Sequence, residues 1–92
     1  MGYKLIIKSG AEQDIADALD WYAENTELSP ELLAEIDEVL TRIEKDPNNF
    51  QKKYNEIRIV YTDRFRYGVH YVIEDKTVYV LAVLHTSRKP RD

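Results

Sequence analysis

The sequence contains no cysteine among its 92 residues, which excludes a disulfide framework and a thiolate metal site. Glycine and proline occur only three times each, and no low-complexity segment or internal repeat is present. Long hydrophobic runs are also missing. The apolar run Val78–Leu84 is far shorter than the roughly 20 residues that a membrane-spanning helix needs. What remains is an ordinary globular composition, 43% hydrophobic and 33% charged.

The N-terminal residues carry no recognisable targeting signal. Their apolar stretch, Leu5–Ile7, is too short for the hydrophobic region of a signal peptide. We therefore expect a soluble cytoplasmic protein with no membrane association. The length predicts one domain, residues 1–92. A chain of this size buries only about 60–65% of its unfolded surface, so modest stability that responds to partners is expected.

A formal net charge of −4 conceals two halves of opposite sign. Residues 1–46 hold four basic and twelve acidic residues, a balance of −8, whereas residues 47–92 hold nine basic and five acidic residues, a balance of +4. Because the whole chain is acidic, tight non-specific binding to nucleic acid is not expected. We interpret the acidic residues as the solvated faces of two helices, and the second half as the source of a local basic face.

The first quarter of the chain predicts a short strand and a helix. Alternating residues over 3–8 indicate the strand. Ser9 and Glu12 have the spacing of a capping box, which predicts a helix over about Gly10–Asn25. Trp21 lies off the centre of the apolar face of this helix, and we interpret it as a partly buried packing residue rather than a platform for a ligand. The face itself is formed by Ile15, Ala18, Leu19 and Tyr22.

A second helix is predicted to start at Ser29, as its cap, with Pro30 at the first helical position. Asp46-Pro47 ends it. Because only a few residues separate the two helices, they should form an antiparallel hairpin. The buried stripe of the second helix is predicted to contain Leu32, Leu33, Ile36, Val39, Leu40 and Ile43.

The second half predicts three strands after a polar connector, Phe50–Tyr54. The strands are expected at about Glu56–Tyr61, Tyr67–Ile73 and Val78–Leu84, joined by turns short enough for hairpins. The uncharged run Val78–Leu84 would aggregate at a sheet edge, so we expect it to be covered on both sides. The element order is β-α-α-β-β-β. The predicted fold class is α+β, with the helical hairpin packed on one face of a small, largely antiparallel sheet.

Several short motifs carry a resemblance to a known family. They are the helix pattern Ala11–Tyr22, the helix exit Asp46-Pro47, Arg58, the run Arg64-Phe65-x-Tyr67 and the ending His85-x-x-Arg88-x-Pro90. Together with the element order, they resemble the RelE/ParE superfamily, the toxins of bacterial type II toxin–antitoxin systems, also called plasmid stabilisation proteins. The sequence looks closer to the ParE branch, although Arg66 replaces the proline that is usual before the third strand.

The resemblance implies a toxin that is neutralised by a cognate antitoxin. ParE-type toxins poison DNA gyrase by protein binding, and RelE-type toxins cleave mRNA on the ribosome. We expect a ParE-like, non-enzymatic toxin without a cofactor. The alternatives are a ribosome-dependent mRNA endoribonuclease and a non-toxic interaction module. An RNase of the RelE type would use an Arg at the position that corresponds to Gly68, which has no side chain.

The predicted partner-binding residues lie where the start of one strand meets the end of the next in an antiparallel hairpin. They are Arg64, Arg66, Arg88, Arg91 and His85. Arginine suits bidentate pairing with carboxylates or phosphates. If the protein were an RNase, its candidate catalytic residues would be His85, Arg58, Arg64 and Arg88.

Structural interpretations stand beside these functional ones. His85 is interpreted as a hydrogen-bonded residue at the end of a strand, and His70 as a structural residue within one. Arg58 and Arg64 have nearby acids, Glu56 and Asp63, with which they could simply pair. Lys52-Lys53 is an ordinary solvated pair. Two histidines without a carboxylate at fixed spacing provide no metal signature.

Overall fold

The computed structural model of the chain describes residues 2–87. Its elements follow the order β-α-α-β-β-β-β, with one turn of 3₁₀ helix, Pro47–Asn49, after the second α-helix. The strands form one sheet in the order β1-β5-β4-β3-β2, in which β1 runs parallel to β5 and the other neighbours are antiparallel. The bounds are β1 Lys4–Ile7, α1 Ser9–Asn25, α2 Ser29–Lys45, β2 Lys52–Tyr54, β3 Ile57–Tyr61, β4 Tyr67–Glu74 and β5 Thr77–His85.

The predicted α+β class and the packing of a helical hairpin on a mostly antiparallel sheet are confirmed. The uncharged strand β5 pairs with β1 on one side and β4 on the other, as expected of a strand that would aggregate at an edge. The strand β2 was not predicted. It is three residues long, polar and at the sheet edge, where exposed lysines discourage pairing with other chains. A strand of this kind lacks the apolar alternation by which strands are recognised.

The predicted capping box at the start of α1 is wrong. The residue that precedes the helix is Lys8, not Ser9, and it makes no side-chain cap. Its N–H donates to the carbonyl of Val80 at 2.9 Å, while its own carbonyl accepts the N–H of Glu12. The pairing of β1 with β5 therefore holds Lys8 extended and determines where the helix begins.

Ser29 is also inside its helix rather than at the cap. The residue before α2 is Leu28, whose N–H donates to the Thr26 side-chain oxygen at 2.9 Å. The hydroxyl of Ser29 donates instead to the carbonyl of Leu19 in α1, at 3.1 Å. The serine therefore ties the two helices of the hairpin together instead of capping one of them.

The core lies between the hairpin and one face of the sheet. Two contiguous clusters form it: Ala11, Val39, Ile43, Val60, Val69, Tyr71, Val78, Val80 and Val83, and Ala18, Leu32, Ile36 and Phe65. The predicted stripe of α2 is correct except at Leu33, which is 43% exposed. Leu33 follows the buried Leu32 directly in the helix, and the rotation between neighbouring helical residues carries its side chain beyond the edge of the interface with the core.

Candidate partner-binding site

The start of β4 and the end of β5 meet at one corner of the sheet. Tyr67 lies opposite His85 in the strand register, and the N–H of Thr86 donates to the carbonyl of Arg66 at 2.9 Å. The structure thus brings the backbones of Arg66 and His85 together across two strands. Arg88 and Arg91, the other members of the predicted basic group at this corner, lie outside the described residues.

Arg66 occupies a turn that its side chain does not favour. Its φ is 62°, in the left-handed region, where residues other than glycine and asparagine are uncommon. Hydrogen bonds on either side hold the turn: the N–H of Tyr67 donates to the hydroxyl oxygen of Thr62, and the N–H of Thr62 donates to the carbonyl of Tyr67. Proline fixes φ near −65°, so this turn does not accommodate the proline that Arg66 replaces relative to the family that the sequence resembles.

Arg64 lies in the same turn and is exposed. Its backbone N–H donates to a carboxylate oxygen of Glu35 in α2 at 3.0 Å, and its guanidinium carbon lies 5.1 Å from the centre of the Phe65 ring. Within the part of the chain that the structure describes, no ion pair joins Arg64 to Asp63. The predicted pairing is therefore wrong, and the side chain rests on an aromatic ring.

Arg58 is far from this corner. It lies opposite Tyr71, whereas His85 lies opposite Tyr67, so the two are four positions or about 13 Å apart along the sheet and are separated by strand β4. The Nε of Arg58 donates to the carbonyl of Phe50 at 2.6 Å. Arg58 and His85 therefore do not converge on one phosphate, as the RNase alternative would require.

Glu56, the predicted partner of Arg58, pairs with a different cation. A carboxylate oxygen of Glu56 lies 2.8 Å from the Nζ of Lys52, on the neighbouring edge strand. The hydrogen bond and the charge of Lys52 lower the pKa of this exposed carboxyl group. The Arg58–Glu56 ion pair that the sequence predicted is not formed, because the side chain of Arg58 is held at the Phe50 carbonyl.

Both histidines make hydrogen bonds, one within a strand and the other at the end of a strand. Nδ1 of His85 lies 3.0 Å from the hydroxyl oxygen of Ser87 and accepts the Ser87 N–H at 3.2 Å, which confirms a hydrogen-bonded residue at a strand end. His70 is 5% exposed within β4, and its Nδ1 lies 3.1 Å from the hydroxyl of Tyr54.

A groove of about 490 Å³ opens between α1 and the C-terminal half of β5. We call it the α1–β5 groove. Two carboxylates, Asp14 and Asp17, line it from the helix, and Trp21, Tyr67 and His85 contribute rings. It exists because β1 stops pairing at Val80, while β5 continues to His85 beyond it.

Asp14 closes part of the open edge that β1 leaves. A carboxylate oxygen of Asp14 accepts the backbone N–H of Val83 at 3.0 Å, so a side chain replaces the missing neighbouring strand at that point. This contact joins residues 69 positions apart. No local pattern in the sequence marks it, and only the crossing of α1 over β5 brings the two groups together.

Aromatic rings form a continuous row through the groove. Ring centroids are 5.0 Å apart between Trp21 and Tyr22, 6.4 Å between Tyr22 and Tyr67, and 5.3 Å between Tyr67 and His85. Trp21, at the outer end of the row, is 55% exposed. The prediction that Trp21 is a partly buried packing residue is therefore wrong, and its ring faces the surface beside two carboxylates.

The described residues contain no group of three or more histidine or carboxylate side chains that would hold a metal ion. Among these same residues, no helix is both long and apolar enough to span a bilayer. The features left for function are therefore the basic corner of the sheet and the α1–β5 groove.

The fold that frames these two surfaces is a small domain in which a helical hairpin packs on an open, mostly antiparallel sheet. The model of the family described as ParE toxin of type II toxin-antitoxin system, parDE, matches residues 5–90. The chain belongs to this family.

Solved structures agree with the assignment at the level of the fold. A chain of a chromosomal ParDE toxin–antitoxin system from P. aeruginosa superimposes with a TM-score of 0.79 at 15% identity, over 90% of this chain and 95% of that one. A conserved hypothetical protein from Helicobacter pylori reaches a TM-score of 0.64 at 18% identity, over 94% and 97% of the two chains. A copper-bound mutant toxin from Helicobacter pylori reaches 0.57 at 18% identity, over 92% and 96%. No curated protein matches the sequence.

Proposed function

We propose that this type II toxin acts by binding a protein target of the DNA gyrase type and that a cognate antitoxin neutralises it. Membership of the ParE family supports the toxin class. The observation that carries the mode of action is the dispersal of the candidate catalytic groups. Arg58 is bound to the Phe50 carbonyl about 13 Å along the sheet from the level of His85, and this separation favours a contact surface over a phosphate clamp.

The site proposed for the antitoxin consists of the basic corner of the sheet and the adjoining α1–β5 groove. Arg66 and His85 lie beside one another there, and the α1–β5 groove opens on the helix side of His85. Exposed aromatic rings next to charged groups are typical of the centre of an interface. A structural relative is described as a chromosomal ParDE toxin–antitoxin system, which supports an antitoxin as the partner.

Co-expression with the antitoxin is expected to stabilise the toxin. A partner that binds only the folded chain, present at about 100 times its Kd, adds about 2.7 kcal/mol to the free energy of unfolding. The candidate is the product of the adjacent open reading frame. The measurements are the melting temperature with and without it, and growth after induction of the toxin alone. A product that changes neither would contradict the antitoxin proposal.

The gyrase proposal has its own measurement. Purified toxin should inhibit DNA supercoiling by gyrase, and a stoichiometric amount of the antitoxin should restore it. A toxin that stops growth while supercoiling remains normal would overturn the proposed target but would leave the toxin class intact.

The protein is not expected to cleave mRNA. Gly68 occupies the position at which the resemblance to RelE-type toxins implies an Arg, and loss of a charge-stabilising group of this kind costs on the order of 10²–10³ in rate. The measurement is primer extension on mRNA from a translating extract. Codon-specific cuts that disappear in the His85→Ala variant would favour mRNA cleavage over protein binding as the function of the toxin.

Arg66 is expected to contribute more to partner binding than Arg64. The Arg66→Asn variant removes the charge and keeps a residue that tolerates the left-handed turn, and it should weaken the toxin–antitoxin complex by about 1–3 kcal/mol. Arg64→Ala should cost about 0–1 kcal/mol because its side chain is exposed and pairs with no acid among residues 2–87. Complex affinity is measured by calorimetry, with Lys53→Ala on β2 as a charge-matched control.

Melting temperatures of the free variants separate binding from folding. A loss of affinity that follows a loss of stability would mean that Arg66 is needed only for the turn. Equal affinity in Arg66→Asn, Lys53→Ala and the parent chain would remove Arg66 from the binding surface.

A further inference from the structure

A pocket of about 390 Å³ lies at the start of strand β4, and we call it the Arg66 pocket. The end of β3 borders it on one side. On the other side is Thr86, which follows β5 and donates its N–H to the carbonyl of Arg66. All of its described lining residues carry a hydroxyl group or a charge: Tyr61, Thr62, Asp63, Arg66 and Thr86. Such a lining suits recognition of a ligand by hydrogen bonds and charge.

Three hydroxyl groups of the Arg66 pocket are available as donors. Thr62 is 3% exposed, and its oxygen accepts the N–H of Tyr67 at 2.9 Å. Among residues 2–87, the hydroxyls of Thr62, Tyr61 and Thr86 donate no hydrogen bond. A hydroxyl group donates one hydrogen bond in addition to those it accepts. An acceptor atom of a ligand would therefore complete the hydrogen bonding of the buried Thr62 hydroxyl.

The pocket also contains one cation and one anion that do not pair with each other. Arg66 and Asp63 both line it, yet neither forms an ion pair within residues 2–87. The guanidinium group of Arg66 presents N–H donors in a planar fork that matches a carboxylate. The carboxylate of Asp63 accepts N–H donors and opposes the entry of a second negative charge. Together they suit a ligand with one carboxylate and a nearby N–H group.

The backbone of Arg66 supports a role for its side chain. Its φ of 62° lies in the left-handed region, which glycine adopts without the steric cost that a Cβ atom brings. The turn itself therefore does not require an arginine. Residues held in sparsely populated backbone conformations cluster at binding and catalytic sites. This conformation favours a use for the guanidinium group, which glycine would not supply.

We propose that the Arg66 pocket binds an acidic side chain of a partner protein. Its carboxylate accepts hydrogen bonds from the guanidinium of Arg66 and the hydroxyl of Thr62, and the backbone N–H of the same partner residue donates to Asp63. A glutamate or aspartate within a peptide supplies both groups, whereas a phosphate group of a nucleic acid supplies acceptors alone. Assigning this residue to the antitoxin rests on the proposed function, but the pocket itself does not.

The probe for this site is glutamate with an acetylated amino group and an amidated α-carboxyl group. It is titrated into the full chain, and binding is followed by NMR through the backbone signals of Thr62, Arg66 and Thr86. Glutamine capped in the same way has the same shape without the charge. We expect it to bind at least about tenfold more weakly, because the charge-assisted hydrogen bonds to Arg66 are lost. Dimethyl phosphate, which resembles a nucleic-acid backbone, should also bind more weakly than capped glutamate.

Variants of the two charged residues test the contacts separately. Arg66→Gly keeps a residue suited to the turn and should lower the affinity for capped glutamate at least about tenfold. Asp63→Asn keeps an oxygen acceptor but removes the opposing charge, so the affinity should rise about two- to fivefold. Lys53→Gln on β2, outside the pocket, is the charge-matched control and should change the affinity by less than about twofold. Circular dichroism and melting temperature establish that each variant is folded.

Equal binding of capped glutamate and capped glutamine would overturn the proposal, as would equal affinities of the parent and Arg66→Gly chains. Weaker binding by Asp63→Asn would contradict a carboxylate ligand. Tighter binding of dimethyl phosphate would assign the pocket to a nucleic-acid backbone instead. These titrations need no antitoxin. A pocket that fails them leaves the antitoxin proposal standing, and a pocket that passes them stands even if the product of the adjacent gene does not bind.

Discussion

Replacing Gly68 with arginine is expected to destabilise the protein by about 3 kcal/mol, because its Cβ atom would already lie too close to two neighbouring side chains and the rest of the side chain would have to displace them. Gly68 is buried in β4, on the sheet face opposite the helices. A Cβ atom there would lie 2.8 Å from Cγ2 of Ile59 and 3.0 Å from Cε1 of Tyr61. The backbone of Gly68 has no positive φ, so space and not conformation requires the glycine.

The Gly68→Ala variant tests the contacts of the Cβ atom by itself. Tyr61 is 46% exposed and its ring has room to turn, but Cγ2 of Ile59 is attached directly to Cβ and gives way only if χ1 or the backbone moves. We expect a loss of about 1–3 kcal/mol in the free energy of unfolding, measured with urea. Gly2→Ala is the matched control, because a Cβ atom there meets nothing within 4 Å.

The result bears directly on function. If Gly68→Arg folds with the stability of the parent chain, an arginine fits at this position and space is not the reason for the glycine. If the variant is destabilised as expected, the packing of Ile59 and Tyr61 over Gly68 leaves no room for an arginine side chain. Growth inhibition by the Gly68→Ala variant then tests how much loss of stability the toxin tolerates.

Tyr71→Phe is expected to lower the free energy of unfolding by about 1–3 kcal/mol at neutral pH. The ring of Tyr71 is fully buried, and its hydroxyl donates to the carbonyl of Pro47 at 2.6 Å. Without that donor the buried carbonyl loses its partner, and the connection between α2 and the sheet loosens. Tyr3→Phe is the control, since its hydroxyl accepts an exposed hydrogen bond from Asn48.

The stabilisation by Tyr71 should disappear in alkali. Burial raises the pKa of Tyr71 to about 12 from an ordinary value of 10.0, against the opposing charge of Arg58. The neutral phenol is favoured in the folded state, so its contribution is complete below pH 10 and is lost as the pH rises through 12. The free energies of unfolding of the parent and Tyr71→Phe chains, measured with urea, should therefore converge between pH 10 and pH 12. A difference between the two chains that does not change with pH would contradict the stabilising role of the neutral Tyr71 hydroxyl.

The sequence by itself determined the kind of fold, because that information is local and periodic. The apolar stripe of α2, the alternation in β3 and the uncharged run of β5 each reflect a face that must be buried. The motifs from Ala11 to Pro90 carried the family resemblance, which the family match confirms. The expected positions of the two histidines agree with the structure: His70 is buried within a strand, and His85 is hydrogen-bonded at the end of one.

Tertiary structure decided the features that depend on distant neighbours. The start of α1 follows from the bond between Lys8 and Val80 across the sheet and not from the serine that resembled a cap. The groove exists because β1 ends before β5 does, and Asp14 reaches Val83 only after α1 crosses the sheet. The exposure of Trp21 likewise depends on where α1 passes the edge of the core. Periodicity specifies which face of an element is apolar, but the packing of whole elements against one another decides which part of that face is covered.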